Sequence, residues 1–115
     1  MKYVMFIYQA PNFDPKKLSQ DDYKAVAEGY AAINGTAGVK PGAPLGVTAD
    51  AITVRLANGK PVSSRGPHVT QPGGAVGGFL EFEAESDEAA IALASRIPAV
   101  AQGGAVEIRP SKVYW

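Results

Sequence analysis

K-Y-V-M-F-I-Y, residues 2–8, decides the fold. A strand alternates its side chains between two faces, so Tyr3, Met5 and Ile7 share one face and Val4, Phe6 and Tyr8 the other. Both sets are apolar. A strand of that kind sits at the centre of a sheet and is covered on both sides. The rest of the chain therefore has to supply two covers.

Working outward, the pattern turns helical at residues 19–34. Ser19 offers a cap, Asp21 and Asp22 complement the helix dipole, and Asn34-Gly35 gives a stop. Tyr23, Val26, Ala27, Tyr30 and Ile33 form the apolar stripe, with the tyrosines read as packing residues. Residues 36–50 are rich in glycine and proline, lack periodicity and read as a long connection. Residues 51–56 alternate strictly, with Ile52, Val54 and Leu56 expected inward. Asn58-Gly59 then marks a hairpin turn, because a type I′ turn needs positive φ at both central positions. The return strand, about residues 60–64, contains Pro61 and reads as an edge.

A second strand-helix-strand unit closes the chain. Residues 78–84 form a strand with Leu80 and Phe82 on one face and Phe79, Glu81 and Glu83 on the other. Ser86 caps a helix with the stripe Ala90, Ile91, Ala94 and Ile97, which Pro98 ends. Residues 105–109 form the last strand, with Val106 and Ile108 inward, before an aromatic C-terminus. The order is that of an α+β, ferredoxin-like βαββαβ protein, one domain over residues 1–115, with two helices on one face of an antiparallel sheet. Two helices cover one face only. The apolar second face of the first strand, with Phe79 beside it, predicts a homodimer whose sheets face one another.

Bulk properties narrow the function. Eleven basic and eleven acidic side chains cancel, which removes the charge footprint of a nucleic-acid binder. The chain has no cysteine and one histidine, so thiolate chemistry is absent, a transition-metal site has little support, and no cofactor is expected. The apolar start is too short for a signal peptide and no run approaches membrane-spanning length, so a cytoplasmic protein without membrane contact is expected.

Between the two halves lies S-S-R-G-P-H-V-T-Q-P-G-G-A-V-G-G-F, residues 63–79, with the one histidine. Its glycines lead into a strand, which fits neither a P-loop nor a dinucleotide fingerprint; they suit a mobile loop or a close backbone approach. His68 is the one side chain that ordinarily titrates near neutrality and is the catalytic candidate, although no neighbour in sequence orients it. Arg65 could clamp a carboxylate or phosphate. Tyr8 and Glu81 complete the candidate ligand-binding set on the second sheet face.

Several stretches together carry a family resemblance. They are M-K-Y-V-M-F-I-Y at the start, I-T-V-R at residues 52–55, Gly66-Pro67, Gly77-Gly78-Phe79, and residues 96–110 from Arg-Ile-Pro to Glu-Ile-Arg-Pro. In this order and spacing the chain resembles the YCII-related proteins, and within them the group named for a D-G-P-F motif. The resemblance implies a dimeric α+β barrel, two ferredoxin-like sheets packed around a cleft, and a suspected enzymatic activity tied in some members to a histidine and aspartate pair. This sequence departs from the motif where chemistry would lie. Arg65 stands at the motif's aspartate and His68 at its phenylalanine, an acid expected further on falls near Thr70, and Pro72-Gly73-Gly74 replaces a charged run. Arginine does not exchange protons near neutral pH, so an acid-base role does not carry over to Arg65. Two functions follow: a small-molecule-binding protein, with catalysis left open, or a non-catalytic dimeric accessory module.

Overall fold

A computed structural model describes residues 1–11, 13–69 and 74–113. The expectations placed on residues 70–73 and 114–115 lie outside the described residues. Chain order runs β1 (Lys2–Tyr8), α1 (Gln20–Asn34), β2 (Val39–Pro44), β3 (Ile52–Ala57), β4 (Lys60–Arg65), β5 (Val76–Glu83), α2 (Asp87–Ala94), α3 (Pro98–Ala101) and β6 (Ala105–Pro110). The fold is α+β, and every strand pairing is antiparallel.

The main sheet has four strands in the order β2-β5-β1-β6, with β1 central as its two apolar faces require. Tyr3, Met5 and Ile7 face the helices and are buried with Leu80, Phe82, Ile33, Ala90, Ala94, Ile97 and Ala99. The Tyr3 and Phe82 rings stack with centroids 5.4 Å apart. Both helix caps form as the sequence requires: the Ser19 hydroxyl accepts from the Asp22 amide at 3.0 Å, and the Ser86 hydroxyl accepts from the Ala89 amide at 3.2 Å. The small alanines of α2 and α3 let the backbone approach the sheet closely.

Three expectations are corrected. First, residues 36–50 are not a plain connection: they contain β2, the second edge strand, paired with β5 from Val39 opposite Phe82 to Pro44 opposite Gly78. Pro41, Gly42 and Pro44 hide it from a pattern reading. They also suit an edge, where a missing amide hydrogen costs nothing. Second, the β3–β4 hairpin forms with the expected turn, Asn58 at φ 54° and Gly59 at φ 78°, but it is a separate two-stranded sheet. Ile52, Val54 and Leu56, expected inward, are 61 %, 65 % and 72 % exposed. Third, the helical stripes are narrower than expected. Within α1 only Ile33 is buried and Tyr23 is exposed, Ile91 of α2 is exposed, and Pro98 both ends the turn after α2 and opens α3.

The hairpin is tethered at its base. The Gly66 amide donates to Ala51 O at 2.8 Å, and the Thr53 hydroxyl donates to Gly66 O at 2.8 Å. Beyond that base neither strand packs substantially on another helix or strand. The Cα radius of gyration is 16.1 Å, against about 13 Å for a compact chain of this length.

Candidate functional site

The face of the sheet away from the helices is open. Its central row is Lys40, Glu81, Val4 and Arg109, on four adjacent strands; the next row holds Phe79, Phe6 and Glu107. Phe79 leans over the edge strand, where a Cβ on Gly42 would collide with the Phe79 carbonyl and ring. Arg109 bonds Glu107 through Nε at 2.7 Å, and its guanidinium lies 5.8 Å from the centre of the Phe6 ring. Glu81 is half-buried and forms no ion pair or side-chain hydrogen bond among the described residues.

At one end of this sheet a cleft of about 910 Å³ opens. Its walls are the segment after β1 (Gln9, Phe13), the segment before the hairpin (Leu45, Val47), the segment before β5 (Ala75, Val76), and the residues Pro67 and Val69. The floor is fixed by the Gln9 amide donating to Ala75 O and the Leu45 amide donating to Gly77 O, each at 2.9 Å. Gly74 is required here: its φ is +106°, and a Cβ would strike the Gln9 carbonyl. At Gly74, then, the glycine-rich run serves as a close backbone approach. Among the described lining residues Asp50 is the one carboxylate, and Gln9 and Thr48 are the other polar side chains in a mostly apolar wall. A smaller cleft of about 330 Å³ lies on the helix side, between Tyr30, Asn34 and β2. Burial raises the Tyr30 phenol pKa, against a smaller opposing effect from the Ala99 backbone.

The four candidate residues occupy different places. His68, exposed, follows the hairpin, and its Nδ1 lies 3.2 Å from Arg55 Nη2. A guanidinium only donates, so Nδ1 accepts and the ring proton sits on Nε2. Arg55 was missed in the sequence because the hairpin, not the linear chain, brings it to His68. Arg65 pairs opposite Ile52, whereas Arg55 pairs opposite Val62, so the two arginines project from opposite faces of the hairpin. Tyr8 and Glu81 share the open sheet face, but their partners on the other central strand are Val76 and Val4 respectively, which separates them by four positions of β1, roughly 13 Å at strand rise. None of the four side chains lines the large cleft, although His68 is flanked by two residues that do, Pro67 and Val69.

One further side-chain hydrogen bond ties strand to helix. The Tyr3 hydroxyl donates to Asp87 Oδ1 at 2.6 Å, and this carboxylate, followed by desolvation, raises the phenol pKa above its ordinary value. The Tyr3 ring is buried while its hydroxyl reaches the solvent-facing start of α2. Among the described residues no three histidine, aspartate or glutamate side chains are grouped to hold a metal ion. Nor is any helix long and apolar enough to cross a membrane.

A four-stranded antiparallel sheet with helices on one face, an open second face and a cleft at its end defines an α+β protein consistent with the ferredoxin-like arrangement. The sequence model of the YCII-related domain family matches residues 1–113, and the chain belongs to that family. No curated protein matches it.

Proposed function

We propose that this YCII-related protein is a homodimer that binds a small, largely apolar molecule carrying an anionic group, held in the 910 Å³ cleft beside the open sheet face. One observation carries the reading. The cleft has the size of a small-molecule site and a largely apolar lining, and the Arg55 guanidinium, hydrogen-bonded to His68, stands beside its wall, with His68 one residue from Pro67 and Val69. The apolar walls take the body of the ligand. The guanidinium and the Nε2 proton take a carboxylate or phosphate, which accepts two hydrogen bonds from them. Tyr8, which pairs opposite Val76 of the cleft wall, supplies a hydroxyl at the sheet end.

Binding is favoured over catalysis by the partner of His68. A general base needs a free nitrogen and a group that orients the ring, usually an acid; here the accepting nitrogen is engaged by an arginine. That same contact supports the non-catalytic module as the second reading, in which no ligand is bound. Thermal melting with benzoate, hexanoate and their neutral amides separates the two. Carboxylates that raise the melting temperature, amides that do not, and loss of the effect in Arg55→Ala and Ala51→Trp support the anion site. Equal, null responses to every compound refute it.

A further inference from the structure

The hairpin carries a complete apolar face that its own chain leaves bare. Ile52, Val54 and Leu56 stand in one row opposite Arg65, Ser63 and Pro61. An isolated two-stranded hairpin is at best marginally stable in water, so a face of this kind needs a surface to lie on. We propose that the hairpin is a dimerisation arm: its Ile52, Val54 and Leu56 side chains lie on the open sheet face of a second copy of this chain, against Val4, Phe6 and Phe79, with Arg65 beside Glu81 of the partner subunit. The inference rests on the homodimer proposed above and names the surfaces that make it.

Three observations select a second copy as the occupant. The first is area. The chain exposes 8270 Å². A compact monomer of its mass exposes about 6,000 Å², leaving an excess of roughly 2,300 Å². Half of that excess already exceeds the ~800 Å² that each partner contributes to a standard interface.

The second is complementarity. The arm face has one cation, Arg65, beside three aliphatic side chains, and the open sheet face has Val4, Phe6 and Phe79 beside Glu81, whereas its other carboxylates, Glu83 and Glu107, are each ion-paired within the chain. Neither Arg65 nor Glu81 has an ion-pair partner among the described residues. The spacing agrees as well. Arg65 stands directly opposite Ile52 and Glu81 directly opposite Val4, and the next apolar side chain of each row, Val54 opposite Ser63 and Phe6 opposite Phe79, lies one strand repeat, about 7 Å, further on. A twofold axis then uses the pair twice, arm on face and face under arm.

The third is the absence of a better route. Pro41 and Pro44 on the β2 edge, and Pro110 at the end of β6, oppose joining the sheets edge to edge.

The arm also bears on the cleft. Asp50, Ala51, Pro67 and Val69 are the hairpin's flanking residues and form one of the cleft walls. Docking the arm on a partner fixes that wall, so the ligand site is completed by dimerisation.

Sedimentation equilibrium on the full chain tests the arm. Val54→Asp should raise the dimer dissociation constant roughly a hundredfold, the loss of a central interface contact. Arg65→Glu and Glu81→Arg should each raise it about tenfold, and the double variant should recover most of the loss. The cooperative thermal transition of Val54→Asp should be retained, with any loss of circular dichroism confined to the hairpin's strand signal, because the arm lies outside the core. A dimer that survives Val54→Asp, and in which the two charge reversals add instead of cancelling, overturns the arm while leaving a sheet-to-sheet dimer standing. A wild-type monomer at micromolar concentration overturns both.

Discussion

The central strand β1 and the arm strand β3 read alike in sequence and end in opposite surroundings. Each alternates large apolar side chains. In β1 the row Tyr3, Met5 and Ile7 is buried by α1, α2 and α3; in β3 the row Ile52, Val54 and Leu56 faces outward. The difference teaches that alternation reports a face that requires cover, and says nothing about which chain supplies it. Connectivity decides that. The segment that pairs with β5 is the proline-bearing β2, and once it has taken the sheet edge the better-patterned hairpin is left outside.

The largest expected effect sharpens this contrast directly. Phe82→Ala removes a ring stacked on Tyr3 in the core and should cost about 3–5 kcal/mol of unfolding free energy. Leu56→Ala, measured below the dissociation constant of the proposed dimer, should cost less than about 0.5 kcal/mol, as for other exposed positions. Urea unfolding of both variants at nanomolar concentration reads the comparison; equal losses would mean that the arm is part of the monomer's core.

Next in size are the glycines. A Cβ at Gly104 would meet the Tyr8 and Ala99 carbonyls, whereas at Gly59 of the arm turn it meets nothing and pays only for its positive φ. Gly104→Ala should therefore destabilise by about 1–3 kcal/mol, the range for overpacking, and Gly59→Ala by about 1 kcal/mol. Thermal melts rank the two; the reverse order would break the contrast between a packed and an unpacked region.

A smaller effect concerns pH. The Tyr3 phenol has a raised pKa in the folded state, chiefly through its hydrogen bond to Asp87. A raised folded pKa contributes stability that is fully present below the unfolded value near 10. That contribution disappears as pH rises through the folded value. Tyr3→Phe should therefore lower the melting temperature at pH 8 and flatten the alkaline loss above pH 10. The smallest expected effect is local. Arg55→Ala should release His68 from its single tautomer, visible as a change in ring ¹⁵N shifts with no change in melting temperature.

Much of the fold was legible because local signals agreed with tertiary need. Serine caps preceded both main helices, Asn58-Gly59 made its turn, and β1 announced a central position through two apolar faces. What was not legible was β2, whose prolines and glycines contradict strand propensity and whose place is set by pairing with β5. The site was legible only in part. His68 was found as the lone histidine, but Arg55 reaches it through hairpin register. The cleft walls come from four separated segments that no linear motif connects. Arg65 and Glu81 read from the sequence as ligand contacts and pair with one another across the proposed dimer.

Amide hydrogen exchange followed as a function of protein concentration tests the proposed arm most directly. Core amides of β1 and β5 should be protected at every concentration, while those of β3 and β4 should gain at least tenfold protection as the species of twice 12.0 kDa forms. Exchange in the hairpin that stays fast and independent of concentration while the protein is dimeric would contradict it.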